Sequence, residues 1–565
     1  MNRSTPLFRW LLFSLPLAFL ALFYFYPLFK IFILSFLPDG NWETARLAKL
    51  INTPIYGRIL WFTTWQAALS TVITLVLALP GAYVFSRYKF FGKEVLQALL
   101  TVPFVLPTVV TATAFRALLG SNGLLNSWLM AGFDLSHPVI RIEQTVTFFL
   151  LAHVFYNYSL VLRIVGGFWA GLDPKMKSAA RMLGASNQQI FFKITLPLLM
   201  PAIGSAALLV FIFCFTSFGV VLILGGPQYA TLEVEIYRQA IQLFNLPMAA
   251  ALSLIQIVVN FLLMGIHARL SRKSKVAFYS DTPTETAKSP ATVGQKFFII
   301  INLLFMVCLL VSPLLALVLR SITNSDGLTL VYYAALFNTP PRSVFFVEPI
   351  SAVANSVGFG LCAMVIAVTL GLMATTFLGS RKGRSVSFWD AIIMLPLATS
   401  AVTLGFGYII TLNKPPLNLR DSLAIVPIAH GLVALPFVVR CILPSLRQIP
   451  QVLREAAATL GASPFTVWRR IDLVIISRAI IVGALFAFSI SMGEFGASSF
   501  ITRPHTPTMP VAIFRFLGQP GDLNYGQAMA MSSILMLVTV SGFWLIGRFD
   551  TNRKPESPSD RCDTL

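Results

Sequence analysis

Charge is scarce in this sequence. Asp, Glu, Lys and Arg make up 11% of its 565 residues, where a soluble domain carries about 25%. Hydrophobic residues supply 56%, and the mean hydropathy is +0.78. This composition excludes a water-soluble enzyme and a disordered chain. Cysteine is sparse too: Cys214, Cys308, Cys362 and Cys441 lie in apolar stretches, Cys562 lies in a polar tail, and no CxxC pair occurs. That excludes a disulfide framework. A phosphate-binding Gly-x-x-x-x-Gly-Lys-Ser/Thr loop is missing as well. The nearest fragment, Phe91-Gly92-Lys93-Glu94, lacks both the spacing and the hydroxyl. No Ser-His-Asp arrangement, carboxylate dyad or metal cluster points to catalysis or to a cofactor held by this chain.

Long apolar runs are plentiful. A membrane-crossing helix needs about 20 apolar residues to span a hydrocarbon core about 30 Å thick. Twelve such runs are expected, near 10–36, 59–85, 95–119, 143–166, 198–224 and 248–268, then near 297–319, 351–379, 389–411, 423–443, 479–500 and 525–547. The run after Trp10 is too long for a signal-peptide core and reads as a retained anchor. With both termini in the cytoplasm, the inside segments hold 27 Lys/Arg, the outside segments 11, and four lie in or beside spans. The positive-inside rule therefore sets the orientation. It also accounts for the net charge of +20 without any nucleic-acid partner; the basic turns face anionic lipid of the bilayer.

The chain is an internal duplication. A shift of 277 residues aligns 151–238 with 428–515 without a gap, with 24 of 88 positions identical. His153 falls on His430, Arg163 on Arg440, Ala179-Ala180 on Ala456-Ala457, and Leu183-Gly184-Ala185-Ser186 on Leu460-Gly461-Ala462-Ser463. Six spans separate the copies, so they are parallel repeats, a relation that places a pathway at their interface. The expected organisation is a first half at 1–268, a cytoplasmic linker at 269–296, a second half at 297–547, and a cytoplasmic tail at 548–565. The fold class is all-α: a polytopic membrane protein of about 12 transmembrane helices in two parallel six-helix repeats.

Each half carries a long inside loop of one plan. Asp173 caps a helix with Pro174 at its first position; it runs through Ala179 and Ala180 and stops at Gly184, suited to a left-handed C-terminal conformation. Ser186 starts a second short helix leading through Ile194-Thr195-Leu196-Pro197 into the next span. In the second half Pro450 precedes Glu455-Ala456-Ala457, Gly461 ends the helix, and Ser463-Pro464 restarts it. Two small alanines flanked by basic residues leave room for another protein to approach closely. The pattern Glu-Ala-Ala, three residues, Gly, nine residues, Ile-x-Leu-Pro resembles the signature loop of permease subunits of bacterial ATP-binding-cassette (ABC) importers. Ser178 stands in place of its Glu, and Leu473-Val474 in place of its Leu-Pro.

That resemblance covers nearly the whole chain and implies a type I ABC importer permease of the bacterial inner membrane in fused two-half form. It implies that the loops at Ala179, Ala180 and Gly184 and at Glu455, Ala456, Ala457 and Gly461 couple to two copies of a separate ATPase subunit, which carries ATP and Mg. It also implies a soluble extracytoplasmic solute-binding protein. Fused permeases of this kind resemble thiamine and ferric-iron importers. Leu224 to Tyr237 is similar to thiamine-type permeases, and Ser491 to Ala497 to a pattern in ferric-iron, sulfate and related permeases. The alternative is an ion-gradient-driven secondary transporter with six plus six spans. It explains the duplication but not the two loops.

Among polar residues, Glu494 stands out. It is expected mid-span in the eleventh run, where an ionised acid is costly unless it faces a pore or finds a partner. Its counterpart is Ser217. Two readings stand: Glu494 lines the pathway and favours a cationic solute, or it pairs internally with Arg440 or His430. His153 and His430 lack an i+3 or i+4 ligand partner and read as hydrogen-bonded packing residues. Arg163 and Arg440 are placed to reach headgroups. Tyr156, Asn157, Gln256 and Asn260 could line the route or join helices.

Overall fold

The structure, a computed structural model, describes residues 6–37, 52–100, 102–276, 288–324, 327–338, 347–379, 384–413 and 417–550. The centre of the expected linker (277–287) and the tail beyond Asp550 lie outside the described residues.

Helices dominate because a backbone in lipid must satisfy its own polar groups. Among the described residues ten unbroken helices are long and apolar enough to cross a membrane: Phe13–Phe36, Pro54–Arg87, Val146–Ala170, Asn187–Phe215, Leu246–Ser271, Val293–Ser321, Ser351–Gly379, Ile425–Arg447, Pro464–Gly493 and Asp522–Gly542. Hydroxyls inside them fold back on their own helix: Thr71 donates to the Ala67 carbonyl and Thr74 to that of Ser70, both at 2.7 Å. Trp61, Val76, Ile300 and Leu304 stay exposed, as suits side chains that meet acyl chains.

The third and ninth expected spans are not continuous. The ninth is a pair, Val386–Ala398 and Ala401–Thr411, bent by 91°. The third consists of Lys93–Leu99, Val102–Val105 and Thr108–Leu119. Proline is one cause: Pro107 and Pro396 each lack an amide proton for the helix ladder. The fifth and eleventh spans also end early. Leu196–Phe215 stops and Gly219–Leu224 starts a new short helix; Leu473–Gly493 stops and Ser498–Ile501 follows.

The two halves repeat one packing scheme. Pro54–Arg87, Val146–Ala170 and Leu196–Phe215 form a mutually packed trio, and Ser351–Gly379, Ile425–Arg447 and Leu473–Gly493 form its counterpart. The first span of each half crosses to the other. Val293–Ser321 packs on Thr108–Leu119, and Tyr26–Phe36 on Ala401–Thr411. Phe13 stacks on Phe377 with ring centroids 4.0 Å apart, and the Tyr24 hydroxyl lies 2.6 Å from that of Thr399. This exchange holds the four helix breaks against one another at the centre.

Candidate translocation site and coupling loops

Non-helical backbone at membrane depth survives only where protein buries it or where it lines a cavity. Both apply here. All four breaks contribute to one cavity of about 470 Å³ between the halves, lined by Leu106, Pro107 and Thr108, by Thr216 to Val220, by Thr399 to Val402, and by Gly493 to Gly496. The backbone freed by the breaks finds partners. Gln66 donates to the Cys214 carbonyl at 2.8 Å, Thr231 to the Ser217 carbonyl at 3.0 Å, and the Leu232 amide to the Thr63 hydroxyl at 3.0 Å.

Glu494 is not mid-helix, contrary to the expectation from hydropathy. It is the residue at which Leu473–Gly493 ends, and its carboxylate caps the next turn. One oxygen accepts from the Ala497 amide at 2.8 Å; the other accepts from the Ser498 amide and hydroxyl, each at 2.9 Å. His430 Nε2 lies 3.3 Å from the carboxylate and 2.8 Å from Ser498 Oγ, while Nδ1 meets Ser491 at 2.7 Å. Of the two partners considered, His430 is the one beside the acid. Arg440 instead lies 3.7 Å from Asp390 and is exposed. Glu494 also lines the cavity, so the pairing with His430 does not withdraw it from the cavity wall.

The first half builds the same arrangement without the acid. His153 Nδ1 meets Ser70 and Nε2 meets Ser217, each at 2.9 Å. Ser217, the repeat counterpart of Glu494, lines the same cavity. With hydroxyls on both ring nitrogens, His153 is a bridge between helices. Tyr156 and Asn157 also line the cavity; Tyr156 donates to the Leu106 carbonyl at 2.9 Å and Asn157 to that of His153 at 2.9 Å. Asn260 is buried outside it.

One ionisable cavity residue escaped the sequence reading. Glu233, on the short Leu232–Tyr237 helix, is 2% exposed and lines the same cavity. Gln256 donates to one of its oxygens at 2.6 Å. The repeat carried a signal: Thr231, Val234 and Ile236 match Thr508, Val511 and Ile513, but Glu233 faces Pro510 in the alignment.

The two loops have nearly the same backbone. Asp173 accepts from the Lys175 amide at 2.8 Å. Gly184 has φ +81° and Gly461 φ +83°, the left-handed region that a side chain disfavours. Each helix closes with matched bonds, Ala185 N to Ala180 O and Ala462 N to Ala457 O, both 3.0 Å. Ser186 and Gln189 form a reciprocal capping box, and Ser463 caps the Thr466 amide. Ala179, Glu455 and Ala456 are exposed, while Ala180 and Ala457 are half-buried. Leu183 and Leu460 are each 88% exposed, an unusual state for leucine beyond the bilayer spans. After each loop comes a π-helical turn, Phe191–Thr195 and Trp468–Asp472, at equivalent positions under the 277-residue shift.

Duplicated bundles, a central cavity at their interface, and twin protruding loops define a membrane permease built as two fused subunits. Residues 70–276 match the family model described as the binding-protein-dependent transport system inner membrane component. The chain is an ABC-importer permease in fused two-half form, and so a multi-pass, non-enzymatic component of the inner membrane. It is 25% identical to the thiamine transport system permease protein ThiP of Brucella abortus over 505 residues, covering 88% of each chain. It is 26% identical to ThiP of Salmonella typhimurium over 522 residues, covering 90% of this chain and 91% of the relative. The ferric transport system permease protein FbpB of Actinobacillus pleuropneumoniae is 25% identical over 571 residues, covering 96% of this chain and 79% of the relative. These likenesses favour an ABC importer over an ion-gradient transporter.

Proposed function

We propose that this permease imports a small organic cation of the thiamine class. The observation that carries the reading is the lining of the inter-half cavity. Glu233 and Glu494 contribute carboxylates, and Tyr156, Phe213, Phe218, Phe437, Phe486 and Phe495 contribute aromatic rings; no Lys or Arg is among the described lining residues. Carboxylates and aromatic faces both attract a cation, the latter by about 0.5–2 kcal/mol per ring. Ferric iron, a harder ion, calls for a cluster of ligands. Among the described residues no group of three or more His, Cys, Asp and Glu could hold a metal, which supports the organic cation.

On this reading, solute arrives from an extracytoplasmic solute-binding protein, and both termini of the permease are cytoplasmic. The halves 1–268 and 297–547 each receive one copy of an ATPase subunit. The exposed Leu183 and Leu460 beside Gly184 and Gly461 supply apolar docking points. The permease itself carries no cofactor; ATP and Mg reside on the ATPase.

Reconstitution tests this. Proteoliposomes holding the permease, its ATPase and the binding protein should accumulate radiolabelled thiamine only with ATP inside the cytoplasmic-facing compartment. Gly461→Val should weaken ATPase capture, because a left-handed φ costs a β-branched residue about 1–2 kcal/mol. Accumulation driven by a proton or sodium gradient with no ATPase present would overturn the mechanism.

A further inference from the structure

We infer that Glu233 is the residue that receives the positive charge of the solute in the central cavity, while Glu494 serves the cavity wall. The inference rests on the cation reading above and says which of the two acids reads the charge.

The two carboxylates differ in what they already hold. Glu494 has three donors from its own chain segment, at 2.8–2.9 Å, and His430 beside it. Its lone pairs are engaged and its charge is spread into fixed dipoles. Glu233 has Gln256 on one oxygen at 2.6 Å and interacts with the Ser400 hydroxyl from the second half. Among the described residues no Lys, Arg or His lies within 4.0 Å of it, whereas its neighbour Glu235 has Arg238 at 3.4 Å. Without a counter-ion, burial favours the neutral form of the Glu233 carboxyl, so its charged form costs several kcal/mol there. A cation entering the cavity removes that cost at Glu233; at Glu494 it would have to displace bonds that are already made.

Position favours Glu233 as well. It sits on the first half, and its side chain interacts with the Ser400 hydroxyl of the second. A movement that separates the halves therefore changes the surroundings of Glu233 directly. The bonds to Glu494 from Ala497 and Ser498 lie within one half and travel with it. A charge site that alters as the halves part is a site that can bind in one state and release in the other.

The test uses the complete transporter in proteoliposomes with radiolabelled thiamine as probe, comparing wild type, Glu233→Gln and Glu233→Asp. Gln matches Glu in shape, so assembly with the ATPase and thermal stability should stay near wild type. Uptake should fall roughly tenfold or more in Glu233→Gln, while ATP hydrolysis stimulated by the binding protein persists. Glu233→Asp, which keeps the charge, should recover part of the uptake. Wild-type uptake in assembled Glu233→Gln overturns the inference and leaves the cation reading standing. If the wild-type transporter instead carries a neutral or anionic solute and not thiamine, the cation reading falls first and the inference with it.

Discussion

Phe218 and Phe495 stack across the interface of the two halves, ring centroids 5.3 Å apart and planes 23° from parallel. The 277-residue shift makes them the same position in the two repeats. Each lines the central cavity, and each is backed by an aromatic at another equivalent pair: Tyr237 lies 5.4 Å from Phe218, and Phe514 lies 5.5 Å from Phe495. Gly219 beside them has no room for a side chain, since a Cβ there would stand 2.6 Å from Thr108 Oγ1 and 3.1 Å from Phe495.

The stack must break if the halves separate at this level. An aromatic pair contributes about 0.5–1.5 kcal/mol beyond its burial. Phe218→Ala or Phe495→Ala should therefore raise ATP hydrolysis in the absence of binding protein by roughly two- to tenfold. The double variant should add little to either single one, because one lost ring already removes the stack. Rates measured on the assembled complex, with and without binding protein, decide the matter. Unchanged basal hydrolysis in both single variants would show that the stack bears no part of the opening cost.

Glu494 and His430 make a different kind of prediction. Replacing the acid with Gln puts an amide where Ser498 presents an amide proton and a hydroxyl. Donors then face donors in a buried site, at about 1–3 kcal/mol for each one left unsatisfied. Glu494→Gln should lower the thermal midpoint of the purified complex measurably, and Glu233→Gln should not. Equal midpoints for the two variants would mean that Glu494 is no more a wall residue than Glu233.

How much of this was legible beforehand depends on the range of the forces. The loop ends were readable to the residue, because Asp173, Ser186, Gly184 and Gly461 act through bonds a few positions away. The repeat placed Ser217 opposite Glu494 and His153 opposite His430. The helix breaks were not readable from hydropathy, which averages composition over a window and treats Thr216-Ser217-Phe218 or Glu494-Phe495-Gly496 as part of an apolar run. What ends those helices is tertiary: Gln66 and Thr231 take up the carbonyls of one break from other segments. Glu233 was missed for the same reason, since only folding brings Ser400 to it. The exchange of first spans between halves leaves no trace in span lengths, because either partner satisfies the same hydrophobic pattern.

The matched π-turns carry the last prediction. In each, the amide just past the turn bonds five residues back, Leu196 to Phe191 and Leu473 to Trp468, so one extra residue is accommodated without ending the helix. Such turns are rare and cluster at functional positions. Here each separates a protruding loop from the span that leads to the cavity wall. Deleting one residue, for example exposed Phe192, should restore an α-helix. The wide turn rotates less per residue than an α-helix, so its five residues sweep about the angle of four α-helical ones, and the deletion leaves the loop in nearly the same direction. The apolar span is untouched, so the protein should still insert and assemble. Leu183 would keep its direction, and uptake and the stimulation of ATP hydrolysis by binding protein should stay within about twofold of wild type, as in Phe192→Ala. Loss of both in the assembled deletion variant, with Phe192→Ala unaffected, would show that the widened turn itself takes part in coupling.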